Sequence, residues 1–136
     1  MSDYRAPTVL VAEDDPAILE LLVTRLRLAG YHTQQERDGF SALETIRRGP
    51  HPSAVILDVN MPRMDGFEVL RRMRTDSMVA HIPVLVLTAR RQPDDIKTAI
   101  RLGATDYLSK PFNDEQFLAR VARLLRRRNE PPRTAG

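Results

Sequence analysis

Short apolar runs alternate with longer amphipathic stretches five times along this chain. Thr8–Ala12 predicts a strand, and Pro16–Ala29 a helix with Ile18, Leu21, Leu22 and Leu26 on one face. Asp15 suits the cap of that helix, Pro16 its first turn and Gly30 its end. Tyr31–Glu36 is a weak, polar strand of the kind found at a sheet edge, followed by a helical stripe of Phe40, Leu43 and Ile46 closed by Gly49-Pro50. Ala54–Asp58 is a continuous strand of the buried type. After the turn Asn60-Met61-Pro62-Arg63-Met64, Asp65 and Glu68 have capping-box spacing for a helix through Arg74. Pro83–Leu87 and Asp106–Ser109 predict the last two strands, and Pro93–Leu102 and Asn113–Arg127 the last two helices, with Asn113 and Gln116 as a capping pair. Strict alternation of this kind implies a doubly wound α/β domain, a mostly parallel sheet covered on both faces by right-handed crossovers.

Composition changes this picture little. A length of 136 residues suits one core, and 42% apolar with 29% charged residues is an ordinary globular balance. Without cysteine there is neither a disulfide framework nor a thiolate metal site. No stretch has the roughly 18 apolar residues of a membrane span and no signal-peptide pattern is present, so a cytoplasmic protein is expected. The net charge of +3 owes much to Arg126, Arg127 and Arg128, which read as a solvated last helical turn that complements the helix dipole. The domain is expected over residues 7–128. Residues 129–136, with Pro131-Pro132 and no apolar pattern, read as a tail or the start of a linker.

In open parallel sheets, sites form beyond the carboxyl ends of the strands. Four of those ends carry informative residues: Glu13 and Asp14 after the first strand, Asp58 at the third, Thr88 at the fourth and Lys110 after the fifth. Taken singly, each has an ordinary role as cap, turn former or solvated surface. Together, three carboxylates repel strongly and one lysine cannot neutralise them. An oxygen-rich site of this kind suits a hard cation such as Mg²⁺, and a carboxylate can attack phosphorus. These residues point to metal-assisted phosphoryl chemistry. His32, His51 and His81 are scattered and support no histidine metal site, while Met61, Met64 and Met73 read as packing residues.

Val9-Leu10-Val11-Ala12-Glu13-Asp14-Asp15-Pro16 and Ile56-Leu57-Asp58-Val59-Asn60-Met61-Pro62-Arg63-Met64-Asp65-Gly66 resemble the acidic-pair and phosphoacceptor motifs of response-regulator receiver domains, the CheY-like modules of two-component signalling. Leu87-Thr88-Ala89 and the segment from Gly103 to Phe112, containing Tyr107, Lys110 and Pro111, are similar to that family's later motifs, in order and at the expected spacing. The resemblance covers Thr8 to Arg127. It implies a flavodoxin-like (βα)5 fold with sheet order 2-1-3-4-5, and Asp58 as the phosphoacceptor. It further implies Mg²⁺ (or Mn²⁺) on Asp14, Asp58 and the Asn60 carbonyl, with Glu13 helping through water. By the same resemblance Lys110 and Thr88 contact the phosphoryl group, the Lys110–Pro111 bond is cis, and Tyr107 changes its packing in response. Glu13 stands where many members carry Asp, and Arg90 occupies one of the family's variable positions near the phosphoryl group.

The function so implied is a switch that catalyses its own phosphorylation and dephosphorylation, with a sensor histidine kinase or phosphotransfer protein as donor. Two rivals come from other classes. One is a Mg²⁺-dependent phosphohydrolase with Asp58 as nucleophile, which usually carries a second acid two residues on, where this chain has Asn60. The other is a receiver-like interaction module that never takes phosphate, against which the intact acidic and basic set counts. Asp106, Arg120 and Arg127 mark an expected weak homodimer face on the Pro93–Leu102 helix, the last strand and the last helix. Nucleic-acid contact is expected only through an output domain, should one follow.

Overall fold

The computed structural model describes residues 6–89 and 93–129, with the side chains of Pro93 and of 127–129 outside the description. Arg90, residues 130–136 of the expected tail, and the Arg127 side chain therefore lie outside the described residues. The elements run β1 (Thr8–Ala12), α1 (Pro16–Leu28), β2 (His32–Glu36), α2 (Gly39–Arg48), β3 (Ala54–Asp58), α3 (Gly66–Arg74), β4 (Val84–Thr88), α4 (Pro93–Arg101), β5 (Asp106–Ser109) and α5 (Asp114–Asn129).

All pairings are parallel, in the order β2-β1-β3-β4-β5. Side chains alternate across a strand, so each central strand feeds two cores. Leu10, Ala12, Val55, Leu57, Val84 and Val86 pack with Ala42, Leu43 and Ile46 of α2 and Val69, Leu70 and Met73 of α3. Val9, Val11, Ala54, Ile56, Leu85 and Leu87 face Leu19, Leu22, Val23 and Leu26 of α1 and Phe117, Val121, Leu124 and Leu125 of α5. Among the described residues the polar strand β2 pairs only with β1 and is an edge, as its composition suggests.

The helix ends follow their capping chemistry. Asp15 accepts from the Ala17 and Ile18 amides, and Asp38 from Ser41. Asn113 and Gln116 form a reciprocal box, each side chain accepting from the other's backbone amide. At α3 only half of the expected box forms. Asp65 accepts from the Glu68 amide, but the Glu68 carboxylate turns to Arg71 and Arg72 instead. Two guanidinium partners outcompete one neutral amide for a carboxylate.

Two predicted stripes are corrected. The buried face of α1 is Leu19, Leu22, Val23 and Leu26, while Leu21 is 46% exposed. Phe40 is 44% exposed, and α2 buries Ala42, Leu43 and Ile46. Helix α1 is apolar over more than one face, so periodicity alone does not choose which stripe the sheet covers. Gly39, the first residue of α2, takes the buried position against the Met64 carbonyl, where a side chain would not fit, and Phe40 one residue on is exposed.

Candidate phosphoacceptor site

β1 and β3 lie side by side in the middle of the sheet, where the strand order reverses direction. Their carboxyl ends therefore open into a shared crevice. β1 delivers Glu13 and Asp14, and β3 delivers Asp58. One carboxylate oxygen from each of the three lies within 4.8 Å of the others. Glu13 is 1% exposed and Asp58 4%, whereas Asp14 faces solvent.

From β5, Lys110 reaches across and donates from Nζ to Glu13 Oε1 and to Asp58 Oδ1, both at 3.1 Å. The Lys110 amide donates to the Thr88 carbonyl at 2.8 Å, so main-chain pairing sets the start of this reach. The Lys110–Pro111 bond is cis. Thr88, 3% exposed, closes β4 next to Asp58 in the strand order, with Asp58 registered against Leu87. Asn60 is exposed in the loop after β3, and Tyr107 is half-buried on β5 against the α2–α3 core. Thus Glu13, Asp14, Asp58 and Lys110 converge in one place. Asp106 and Arg120 are brought together elsewhere, Arg120 donating to Asp106 Oδ1 at 3.0 Å and to the Tyr107 carbonyl at 2.8 Å within the same chain.

The electrostatics follow from burial and crowding. Burial pushes the Asp58 carboxyl above its usual range; Lys110 pulls it back and the Asp14 charge pushes it up again, leaving it raised. Glu13 is raised for the same first reason, with Asp58 adding to the rise and the Asp15 amide and Lys110 opposing it. Burial pulls the Lys110 ammonium down, but its two carboxylate partners outweigh that and hold it above the ordinary lysine value. The site therefore carries more negative charge than its single ammonium neutralises. A divalent cation fits this donor set of three carboxylates, which matches the oxygen preference of a hard metal ion.

Several supporting residues have weak sequence signals. The Gly66 amide donates to the Val59 carbonyl, and a Cβ at Gly66 would sit 2.3 Å from the Asp58 carbonyl oxygen. The Gly66 signal is the glycine directly after a capping Asp. Arg37 donates to the Asp14 carbonyl at 3.3 Å and steadies the acidic loop, a contact between segments that no local pattern announces.

Comparison with known proteins agrees with this geometry. Residues 9–122 match the family model of the response regulator receiver domain. The chain is 43% identical over 129 residues to the DNA-binding dual master transcriptional regulator RpaA of Synechocystis sp., covering 95% of this chain and 53% of that protein. It spans about half the length of the curated relatives it matches. Among solved structures, the Vibrio cholerae chemotaxis protein CheY4 superposes with a TM-score of 0.83 at 34% identity, covering 89% of this chain and 100% of that one. The receiver domain of the Pseudomonas aeruginosa sensor histidine kinase PA1611, with a magnesium ion coordinated in its active-site cleft, gives 0.81 at 26% identity, covering 89% and 98%. A doubly wound sheet in the order 2-1-3-4-5, an acidic crevice at its switch point and a matching family model over most of the sequence lead to one conclusion: this chain belongs to the response regulator receiver domain family.

Proposed function

We propose that Asp58 accepts a phosphoryl group from a histidine kinase or phosphotransfer protein and that the chain acts as a phosphorylation-controlled switch in the cytoplasm. The observation that carries this reading is a nearly buried Asp58 carboxylate held 3.1 Å from the Lys110 ammonium, beside two further carboxylates. One Asp58 oxygen attacks the phosphorus of a phosphohistidine. The O–P bond forms as the P–N bond breaks, and the imidazole leaves with the electron pair. The Lys110 ammonium passes from the carboxylates to a phosphoryl oxygen, and the Thr88 hydroxyl donates to another. Attack of water on the phosphorus later breaks the bond to Asp58 and restores the carboxylate. Asp14, Asp58 and the Asn60 carbonyl would hold Mg²⁺ or Mn²⁺, with Glu13 acting through water. The bound ion supplies positive charge to the transferring oxygens.

Output follows from the same contacts. Thr88 and Lys110 begin the segments that lead to α4 and α5, so drawing them toward a phosphoryl group shifts that face, with Tyr107 changing its packing. The face then supports a weak homodimer through α4, β5 and α5, in which Asp106 and Arg120 exchange their intrachain pair for partners across the interface and Arg127 is also available. Contact with nucleic acid is expected only through an output domain, should one follow; the name of RpaA gives DNA binding to that relative.

Treatment with a small acyl phosphate and Mg²⁺, followed by intact mass measurement, tests the assignment. The parent protein gains one phosphoryl unit and Asp58→Asn gains none. Labelling of Asp58→Asn at a comparable rate, or undiminished labelling of the parent in excess chelator, refutes it. Sedimentation of the phosphorylated protein and of Arg120→Ala tests the dimer face.

A further inference from the structure

A groove lies away from the acidic crevice, between α2 and α3, with a volume of about 480 Å³. That is within the range of roughly 300–1,000 Å³ typical of ligand-holding clefts. Its apolar floor is Phe40, Leu43 and Met64. Phe40 is the aromatic residue among the exposed large apolar side chains, and the Arg63 guanidinium lies 4.7 Å over its ring centre. Holding the ring in this way fixes an apolar surface that a flexible side chain would not present.

The rim is basic. Arg47, Arg48 and Arg72 line the groove against the single acid Glu44. Arg47 is engaged by Asp76 and Arg72 by Glu68, which Arg71 shares, while Arg48 makes no ion pair among the described residues. An apolar floor with cations on both walls is complementary to a segment with an apolar stripe flanked by acids. The walls are two packed helices of ten and nine residues, so the trough runs about 15 Å and accepts two to three turns of a third helix.

We infer that the α2–α3 groove is a docking surface for an acidic amphipathic helix of a partner protein. Its apolar residues would seat on Phe40, Leu43 and Met64, and its carboxylates would pair with Arg48 and compete for Arg47 and Arg72. Met64 belongs to the loop that follows Asp58 and Asn60, so the docked helix would touch a segment continuous with the acidic crevice.

The test uses the whole chain and a synthetic helical peptide with leucines at i, i+3, i+4 and i+7 and glutamates flanking them. Binding is followed by fluorescence anisotropy and by amide chemical shifts. Saturable binding with shifts confined to α2, α3 and the Met64 loop is expected, weakening as salt is raised. Arg48→Glu should weaken it at least about threefold, and Phe40→Ser about tenfold, since both side chains are exposed and the fold does not depend on them. Arg123→Glu, the same charge change on exposed α5 surface, should leave it unaltered. The proposal is overturned by any of three results. One is the absence of saturation, and another is equal binding of a peptide with lysines in place of the glutamates. The third is concentration-dependent shifts in the same residues without peptide, which would give the groove to a second copy of the chain.

Discussion

Gly66→Ala is a sharp probe of how closely the third helix is set against the strand that carries Asp58. The added methyl would lie 2.3 Å from the Asp58 carbonyl oxygen and 3.0 Å from both the Asp58 carbonyl carbon and the Val59 Cα. All three are backbone atoms, so no side chain can turn aside. Relief requires α3 and the end of β3 to separate by about 1 Å, the difference between 2.3 Å and ordinary contact at 3.4 Å or more. Overpacking of this kind costs about 1–3 kcal/mol. Against it stands a gain of about 0.4–1 kcal/mol from restricting the unfolded chain. The net loss is about 1–2 kcal/mol, a lowering of Tm by several degrees in a domain this size. Urea unfolding measures the loss directly. Because the strained atoms are Asp58's own main chain, acyl-phosphate labelling should slow as well. A Gly66→Ala protein as stable as the parent, or more so, would refute the argument from close approach.

Other outcomes follow from the charges. Asp58 and Glu13 titrate above their usual values when folded, so their ionisation opposes folding; this cost is absent below the unfolded values, grows as pH rises from them to the raised folded values, and is complete above those. Asp14→Asn removes one repelling charge, and should raise the neutral-pH Tm measured in chelator; the parent's Tm should rise on adding Mg²⁺ and that of Asp14→Asn should not. Glu68 lies at the opposite sign: Arg71 and Arg72 hold its carboxyl down to about 2. Its contribution is present above the unfolded value of 4.5 and is lost as pH falls toward about 2, so Glu68→Gln should flatten the acid limb of the stability curve, and NMR titration should find the wild-type midpoint near the bottom of the carboxylate range. Arg74→Met should cost about 2–3 kcal/mol in urea unfolding with no rescue by lysine, because the fork bonds the Gly103, Ala80 and Ile82 carbonyls at 2.9, 3.1 and 2.7 Å.

The parallel α/β class, the edge place of β2 and the convergence of Glu13, Asp14, Asp58 and Lys110 were legible from patterns that local sequence carries, whereas the order 2-1-3-4-5 came only with the family resemblance. Continuous apolar runs such as Ala54–Asp58 and Val84–Thr88 admit only central positions, and polar His32–Glu36 only an edge. The exposure of Phe40 was not legible, since the apolar stripe does not show that Gly39, set against the Met64 carbonyl of a distant loop, takes the buried position at the start of α2. Arg74 was equally hidden. Within the run Arg71-Arg72-Met73-Arg74 it looks like one more solvated cation, yet burial lowers its pKa and it ties α3 to the α4–β5 connection. Asp106 and Arg120 were legible as a charged pair but not as partners within one chain, because composition does not say across which gap an ion pair closes.

The two margins of the sheet also bear on how the chain behaves when crowded. An unpaired strand edge is a template for another strand, and long, flat, apolar edges are the ones that aggregate. Here one margin reads His32-Thr33-Gln34-Gln35-Glu36 and the other is only four residues long and begins with the ion-paired Asp106. Neither presents a greasy ribbon to a neighbour, while the runs that would, from Val9 to Ala12, Ala54 to Leu57 and Val84 to Leu87, are sealed in the interior with both edges already hydrogen-bonded. Concentrated solutions of the folded chain should therefore resist fibril formation, with the hazard confined to conditions that unfold the central strands.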